Sequence, residues 1–404
     1  MKTCIHFLTG SILAIAAQNA WAVQGNLQSS SGFVASTVGG ATVAQFTNEF
    51  DAVIDNPAMM QFTKTSPGTH KFSLGLEFAS YPNSFNYNNE GYQKGSRDTA
   101  YIPFAAYFYN INENFKFGTG LYAIGGTGYD YTSLPQDPED VSELYSEISI
   151  PLAVSYKICE QVNIGASLNL VGSQIEFNNF GAKSNTESAF NITPSVGATY
   201  NPGPVVIGAD FSLGTTATFK NLGYSTTTKS AYDVKVGTPT QFALGIGRNA
   251  ETYSYGFKYR FVDWTNTENY KQLSWKNQHT FSLGGQYNLS DAFIGRAGLY
   301  YVTSVYQSSS NVSGDSQVTY QGQATPTYLI EFSNAMGYGM PQWQYALGAG
   351  YKITPKSIFD FGIVYEPQVA KTFSGSSTKF PGGTFSWQKK NSNLQIFLTF
   401  SQEV

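Results

Sequence analysis

Charge is scarce in this 404-residue chain: Asp, Glu, Lys and Arg together make up 12%, against about 25% in an average soluble domain. The net charge of −4 leaves no basic footprint for nucleic acid. Cysteine is rarer still. Cys4 lies among the first residues and Cys159 stands alone in the remainder, which excludes an intrachain disulfide. Only His70 and His279 lie beyond the amino-terminal segment, and neither has a serine motif near it. Without a nucleophile and base, no enzyme activity is expected. No His, Cys, Asp and Glu run has metal-ligand spacing, so neither a metal nor another cofactor is expected. Beyond the first residues the chain also lacks any run of about 18 uncharged apolar residues. A membrane position would therefore have to be reached by strands.

Aromatics are abundant instead, at 16%, together with 40 glycines. The segment Leu394-Gln395-Ile396-Phe397-Leu398-Thr399-Phe400 puts Leu394, Ile396, Leu398 and Phe400 on one face and Gln395 and Thr399 on the other. Fourteen such stretches can be read, near 70-88, 100-111, 115-126, 146-158, 162-178, 188-201, 205-214, 240-248, 253-265, 279-289, 293-303, 344-354, 357-368 and 392-400. Tight polar links at 112-114, 159-161, 202-204, 249-252, 290-292 and 354-356 occupy every second junction, while the others are long. A soluble β-sandwich shares the alternation but seldom segregates its loops this way. The expected fold is all-β, a 14-stranded antiparallel transmembrane β-barrel over residues 70-404. Rings near strand ends, in Tyr107-Phe108-Tyr109, Tyr300-Tyr301, Tyr365 and Phe261-Val262-Asp263-Trp264, are expected as interfacial girdles.

Residues 1-22 read as a secretory signal, with Lys2, an apolar run and Ala20-Trp21-Ala22 as the cleavage site. Residues 23-69 lack strand alternation, and Asn56 before Pro57 suits a helix cap followed by a first-turn proline. Eight strands are filled by their own side chains, whereas 16 to 18 leave a channel. Fourteen needs a stopper. Residues 23-69, with Phe33, Phe46, Phe50 and Ile54 as apolar lumen residues and Asn56-Pro57-Ala58 at their centre, are the expected hatch.

Several segments, in order, are similar to one known family. Ser30-Ser31-Gly32 followed by Asp51 and Asn56-Pro57-Ala58 resembles an amino-terminal hatch signature. Thr238-Pro239-Thr240-Gln241-Phe242-Ala243-Leu244-Gly245 with Val262-Asp263-Trp264-Thr265, then Phe281-Ser282-Leu283-Gly284-Gly285-Gln286-Tyr287, resembles its later strands. The family is that of the FadL/TodX outer-membrane transporters of fatty acids and other hydrophobic compounds. The resemblance implies a Gram-negative outer-membrane protein, in contact with outer-membrane lipid and lipopolysaccharide, monomeric, and moving a fatty acid or hydrocarbon passively. It also implies sideways exit at an inward kink of the third strand, placed here at Gly125, Gly126 and Gly128, where glycines suit a bulge. Lys276 corresponds to a family lysine that partners a carboxylate, whereas Phe177 falls where the family has arginine. Losing one cation favours a neutral aromatic or aliphatic ligand. A porin-like channel or a surface adhesin is the alternative.

Overall fold

The structure, a computed structural model, describes residues 27–131, 141–179, 182–225, 230–306, 312–337 and 339–404. The expected signal segment lies outside these. Fourteen strands form the wall: β1 (His70–Ser80), β2 (Thr99–Asn110), β3 (Phe115–Tyr131), β4 (Val141–Cys159), β5 (Val162–Asn179), β6 (Glu187–Tyr200), β7 (Val206–Ser212), β8 (Thr240–Asn249), β9 (Tyr253–Asp263), β10 (Gln278–Asn288), β11 (Phe293–Val302), β12 (Trp343–Thr354), β13 (Ser357–Ser376) and β14 (Thr384–Glu403). Each pairs antiparallel with the next, and β1 pairs with β14 to close the ring.

The side chains of the closed ring are distributed inside out. Leu74 is 64% exposed and Leu347 61%, and Leu168, Ile192, Val196, Ile246, Leu283 and Leu398 are exposed as well. Ser155, Ser167, Asn169, Thr193, Ser254, Thr280 and Thr399, from the alternating positions, are buried. In water this arrangement would leave a broad apolar belt unpartnered; in a bilayer the same belt is what holds the barrel. No helix among the described residues is long and apolar enough to cross a membrane. Rings line the outer face near both ends, as in the stacked His70–Tyr109 pair at 4.3 Å and Tyr301–Trp343 at 4.7 Å.

Several strand limits differ from the alternation-based reading: β3 runs on to Tyr131, β4 begins at Val141 and β13 continues to Ser376. The first strand is interrupted at Tyr81–Pro82, and Asn83–Tyr87 then continues its ladder on β14 in the same register, Asn83 opposite Asn391, as the reading over 70-88 expects. Pro82 between them supplies no N–H for a ladder. β14 begins at Thr384, earlier than residue 392; its outer half turns polar Ser386, Gln388 and Lys390 away from the lumen, so that the outward face there is polar while Phe385 and Trp387 face in. The 20-residue β13 and β14 exceed the roughly nine to eleven residues a tilted strand needs to cross. Their tops project beyond the membrane at the long-loop end.

Three ring assignments are also corrected. Phe108, Tyr300 and Trp264 face inward and are fully buried, leaving Tyr107 and Tyr109 of the first group and Tyr301 of the second on the outer face. The Trp264 indole donates to Gln278 Oε1 at 3.0 Å, a bond that a lipid-facing position could not offer.

Candidate functional site

The segment before β1 is built from short turns. α1 (Phe33–Ser36) is followed by α2 (Glu49–Asp55), which Asn48 caps by accepting from the Asp51 N–H at 2.8 Å. Asn56 then breaks α2 and starts the 3-10 turn Pro57–Phe62, accepting from the Ala58 N–H at 3.1 Å while its own amide donates to the Val43 carbonyl at 2.8 Å. Asn56-Pro57-Ala58 thus works as a fully buried joint that fastens two turns to a third strip of backbone.

This segment touches strands around the whole ring. Phe33 stacks on Phe104 of β2 at 4.9 Å and meets Phe397 of β14 at 5.5 Å. The Phe46 N–H donates to Asn249 Oδ1 of β8 at 2.7 Å, and Asn249 donates back to the Ala44 carbonyl at 3.0 Å. Tyr122 of β3 donates to the Phe50 carbonyl at 2.6 Å. Close approach needs bare backbone: a Cβ on Gly208 of β7 would lie 1.9 Å from the Val43 oxygen, and one on Gly284 of β10 2.1 Å from the Val38 oxygen. Asp51 is held between Thr47 Oγ1 and Asn48 Nδ2, at 2.9 and 3.1 Å. Burial, and then the neighbouring Asp55, push its carboxyl up to about 8.

One seam of the wall is open. β2 and β3 pair from Asn110 opposite Lys116 up to Ala105 opposite Leu121, and no further. Beyond Leu121 strand β3 stays on β4 but leaves β2, and its register slips by one residue between Ala123 and Gly125. Side chains from Tyr122 to Tyr131 are then buried or half-buried without alternation, as an inward turn requires. Gly125 pairs with Leu27, Gly126 adopts φ 157°, which residues with a side chain rarely adopt, and Gly128 is buried in the inward stretch. Phe104 and Tyr122 face one another across the seam at 5.3 Å, and Ile102 packs with Ala123, Ala100 and Tyr81 just above. Pro103, opposite Leu76 of β1, lies where β2 has no partner on its β3 side, as edge strands tolerate.

Behind the seam the bulged Ile124 lines a mixed cavity, with Leu27, Ile54, Val171 and Ala243 as its other apolar side chains and Ser149, Asn169, Thr193, Asp210, Lys258 and Arg260 among its polar ones. Asp55 accepts there from Ser30 and Thr42 at 2.9 and 2.6 Å. Toward the long-loop end the interior changes to packed rings and aliphatic side chains, including Phe85, Tyr131, Trp264, Trp275, Phe332 and Trp387. Phe177 packs half-buried against this cluster, whereas Lys276 is exposed. The cation buried among the rings is Lys389, which donates to the Met336 carbonyl at 2.7 Å.

Residues 11–214, half of the chain, match the family of outer membrane protein transport proteins (OMPP1/FadL/TodX). The chain belongs to this family. Solved FadL/TodX structures share its fold along nearly the whole length. The toluene transporter TodX of P. putida superposes with a TM-score of 0.67 at 16% identity, covering 93% of this chain and 99% of its own. A FadL homologue of Pseudomonas aeruginosa gives 0.68 at 15%, covering 94% and 99%. The toluene transporter TbuX of Ralstonia pickettii gives 0.64 at 16%, covering 93% and 98%. No curated protein sequence matches. Membership places this FadL/TodX barrel in the Gram-negative outer membrane, where short turns face the periplasm and long loops the outside.

Several site residues carried no signal in the sequence. Tyr122 and Lys389 sit in unremarkable strand stretches, and only their partners distinguish them. Pro103 was readable as an edge residue in the middle of an otherwise regular strand.

Proposed function

We propose that this FadL/TodX member carries hydrophobic small molecules passively across the outer membrane, with residues 23–69 as the hatch that stops axial flow and the β2–β3 seam as the way out. The open seam beside a cavity that holds buried charges carries this reading. A hydrocarbon that continued down the lumen would have to pass Asp210, Lys258 and Arg260, and any water these charges hold would cost it about 0.8 kcal/mol for each methylene exposed. Moving sideways between Phe104 and Tyr122 keeps it among apolar side chains until it reaches lipid. Hatch and exit are joined, since Leu27 pairs with Gly125 and Tyr122 bonds to Phe50. Lys276, exposed as it is, supports no carboxylate site.

The test is entry of the fluorescent hydrocarbon-like probe 1-N-phenylnaphthylamine into lipid vesicles carrying the full chain. Gly125→Val with Gly126→Val is expected to slow entry roughly tenfold, the effect of about 1.4 kcal/mol on a barrier. Heat-modifiable gel mobility, which reports a folded barrel, should not change. Entry at the unmodified rate in the folded variant would remove the seam from the pathway. Strong ion conductance by the unmodified protein would instead favour a porin.

A further inference from the structure

The ring cluster at the long-loop end contains one helix, α3 (Thr327–Gly337), whose Ile330, Phe332, Ala335 and Met336 are buried. It is fastened near its end: Trp275 Nε1 donates to Asn334 Oδ1 at 2.9 Å, and Asn334 Nδ2 donates to the Leu273 carbonyl at 3.1 Å. From this helix the Phe332 ring projects between two others, meeting Trp387 edge-on at 5.2 Å and Phe85 at 5.9 Å, with Tyr131 next to Phe85 at 5.8 Å.

The hydrogen bonding of this cluster is uneven. The Trp264 and Trp275 indoles both have acceptors. Trp387 is 1% exposed and its Nε1 has no acceptor among the described residues, nor has the hydroxyl of the equally buried Tyr131 a partner there. Buried Trp and Tyr polar tips ordinarily find a partner, because leaving them unmet forfeits the full cost of desolvation. Two unmet donors around a ring inserted from a separate element suggest that the ring occupies a place made for something else.

We propose that the slot between Phe85 and Trp387 binds a one-ring aromatic molecule bearing a single hydrogen-bond acceptor, with Phe332 as the resident side chain that it displaces. The ligand ring takes the edge-to-face positions that Phe332 holds, and its acceptor meets the Trp387 N–H. An alkylbenzene fits the same slot but leaves that donor unmet, so the slot prefers aryl ketones, ethers or phenols to hydrocarbons of equal size. The inference rests on the hydrophobic passage proposed above and names its first stop.

Acetophenone and ethylbenzene, nearly equal in shape, are the probes, measured by equilibrium dialysis against the full chain in detergent with empty micelles subtracted. Phe332→Ala is expected to tighten both by about tenfold, since an apolar cavity lined by packed side chains takes up a small ring. Trp387→Phe in that background should weaken acetophenone about fivefold, the size of one hydrogen bond, and leave ethylbenzene unchanged. Gel mobility certifies the barrel, and Phe332→Leu serves if Phe332→Ala does not fold. Unchanged affinity for both probes in the folded Phe332 variant overturns the slot. Equal weakening of both by Trp387→Phe, or none, overturns the acceptor reading and assigns the indole to a bound water. Vesicle entry of phenylnaphthylamine separates the two proposals: normal entry with no slot binding defeats only this one, and slot binding without entry defeats only the transport reading.

Discussion

Two seams of the same barrel behave differently. Between β4 and β5 the ladder runs from Ser142 opposite Asn178 down to Cys159 opposite Val162, so that every turn of wall is closed by backbone bonds. Between β2 and β3 it stops at Ala105 opposite Leu121. In lipid each unmet backbone group costs several kcal/mol, so a seam can open only where protein or a lined passage covers it. Here Tyr122, Ile102 and Ala123 cover it from within, and the amino-terminal segment touches β3 through Leu27 and Phe50. The open seam is therefore a property of wall and amino-terminal segment together. The closed one belongs to the wall alone.

Removing the hatch should break the comparison most completely. Deletion of residues 27–62 takes away both of these contacts with β3 and empties the centre of a 14-stranded ring, a width between the filled eight-stranded barrel and the open porin. Single-channel recording in planar bilayers is expected to show large, steady ion currents from the deleted protein and almost none from the intact one. Equal currents from the two would show that the segment is not a stopper.

Charge placed on the lipid face should sharpen it. Leu168→Arg, in the middle of the closed seam's β5, is expected to destabilise the barrel by about 2–4 kcal/mol, whereas Tyr101→Arg, near the outer end of β2, should cost about 1 kcal/mol or less. Denaturant unfolding of the two variants in vesicles measures both. Equal costs would contradict the assigned depths.

The smallest effect expected is one of pH on the hatch. Its Asp51, raised to about 8 from 3.8 by burial and by Asp55, holds a proton in the docked segment that it would release if undocked. Docking is then strongest below the lower value and weakens as pH rises through 8. Brief current openings of the intact protein should become more frequent at pH 9 than at pH 6, and Asp51→Asn should remove the difference. An unchanged pH dependence in that variant would assign the effect to another group.

Much of the wall was legible in the sequence, because lipid outside and water or polar side chains inside impose a strict period of two. Leu394, Ile396, Leu398 and Phe400 do face out, and Gln395 and Thr399 face in. Legibility failed where that constraint ends. The top of β14 stands clear of the membrane and reads as polar on its outer face. The inward stretch of β3 is enclosed on both sides and has no period at all. Glycines at 125, 126 and 128 lie in the stretch of β3 that leaves β2, and Pro103 lies in the stretch of β2 that faces it, but neither residue type by itself shows which seam opens. That depends on Phe33, Phe50 and Leu27, which approach from a distant part of the chain. Trp264 and Tyr300 looked like girdle rings because residue type alone does not say which face a strand end presents.

A reversible lock across the open seam tests the account most directly. In a Cys159→Ser background, Phe104→Cys and Tyr122→Cys would sit where two rings now meet across the seam, 5.3 Å apart. Joined by a short disulfide-forming cross-linker, the protein should lose phenylnaphthylamine entry into vesicles and regain it on reduction. Entry that continues undiminished with the seam locked would contradict exit between β2 and β3.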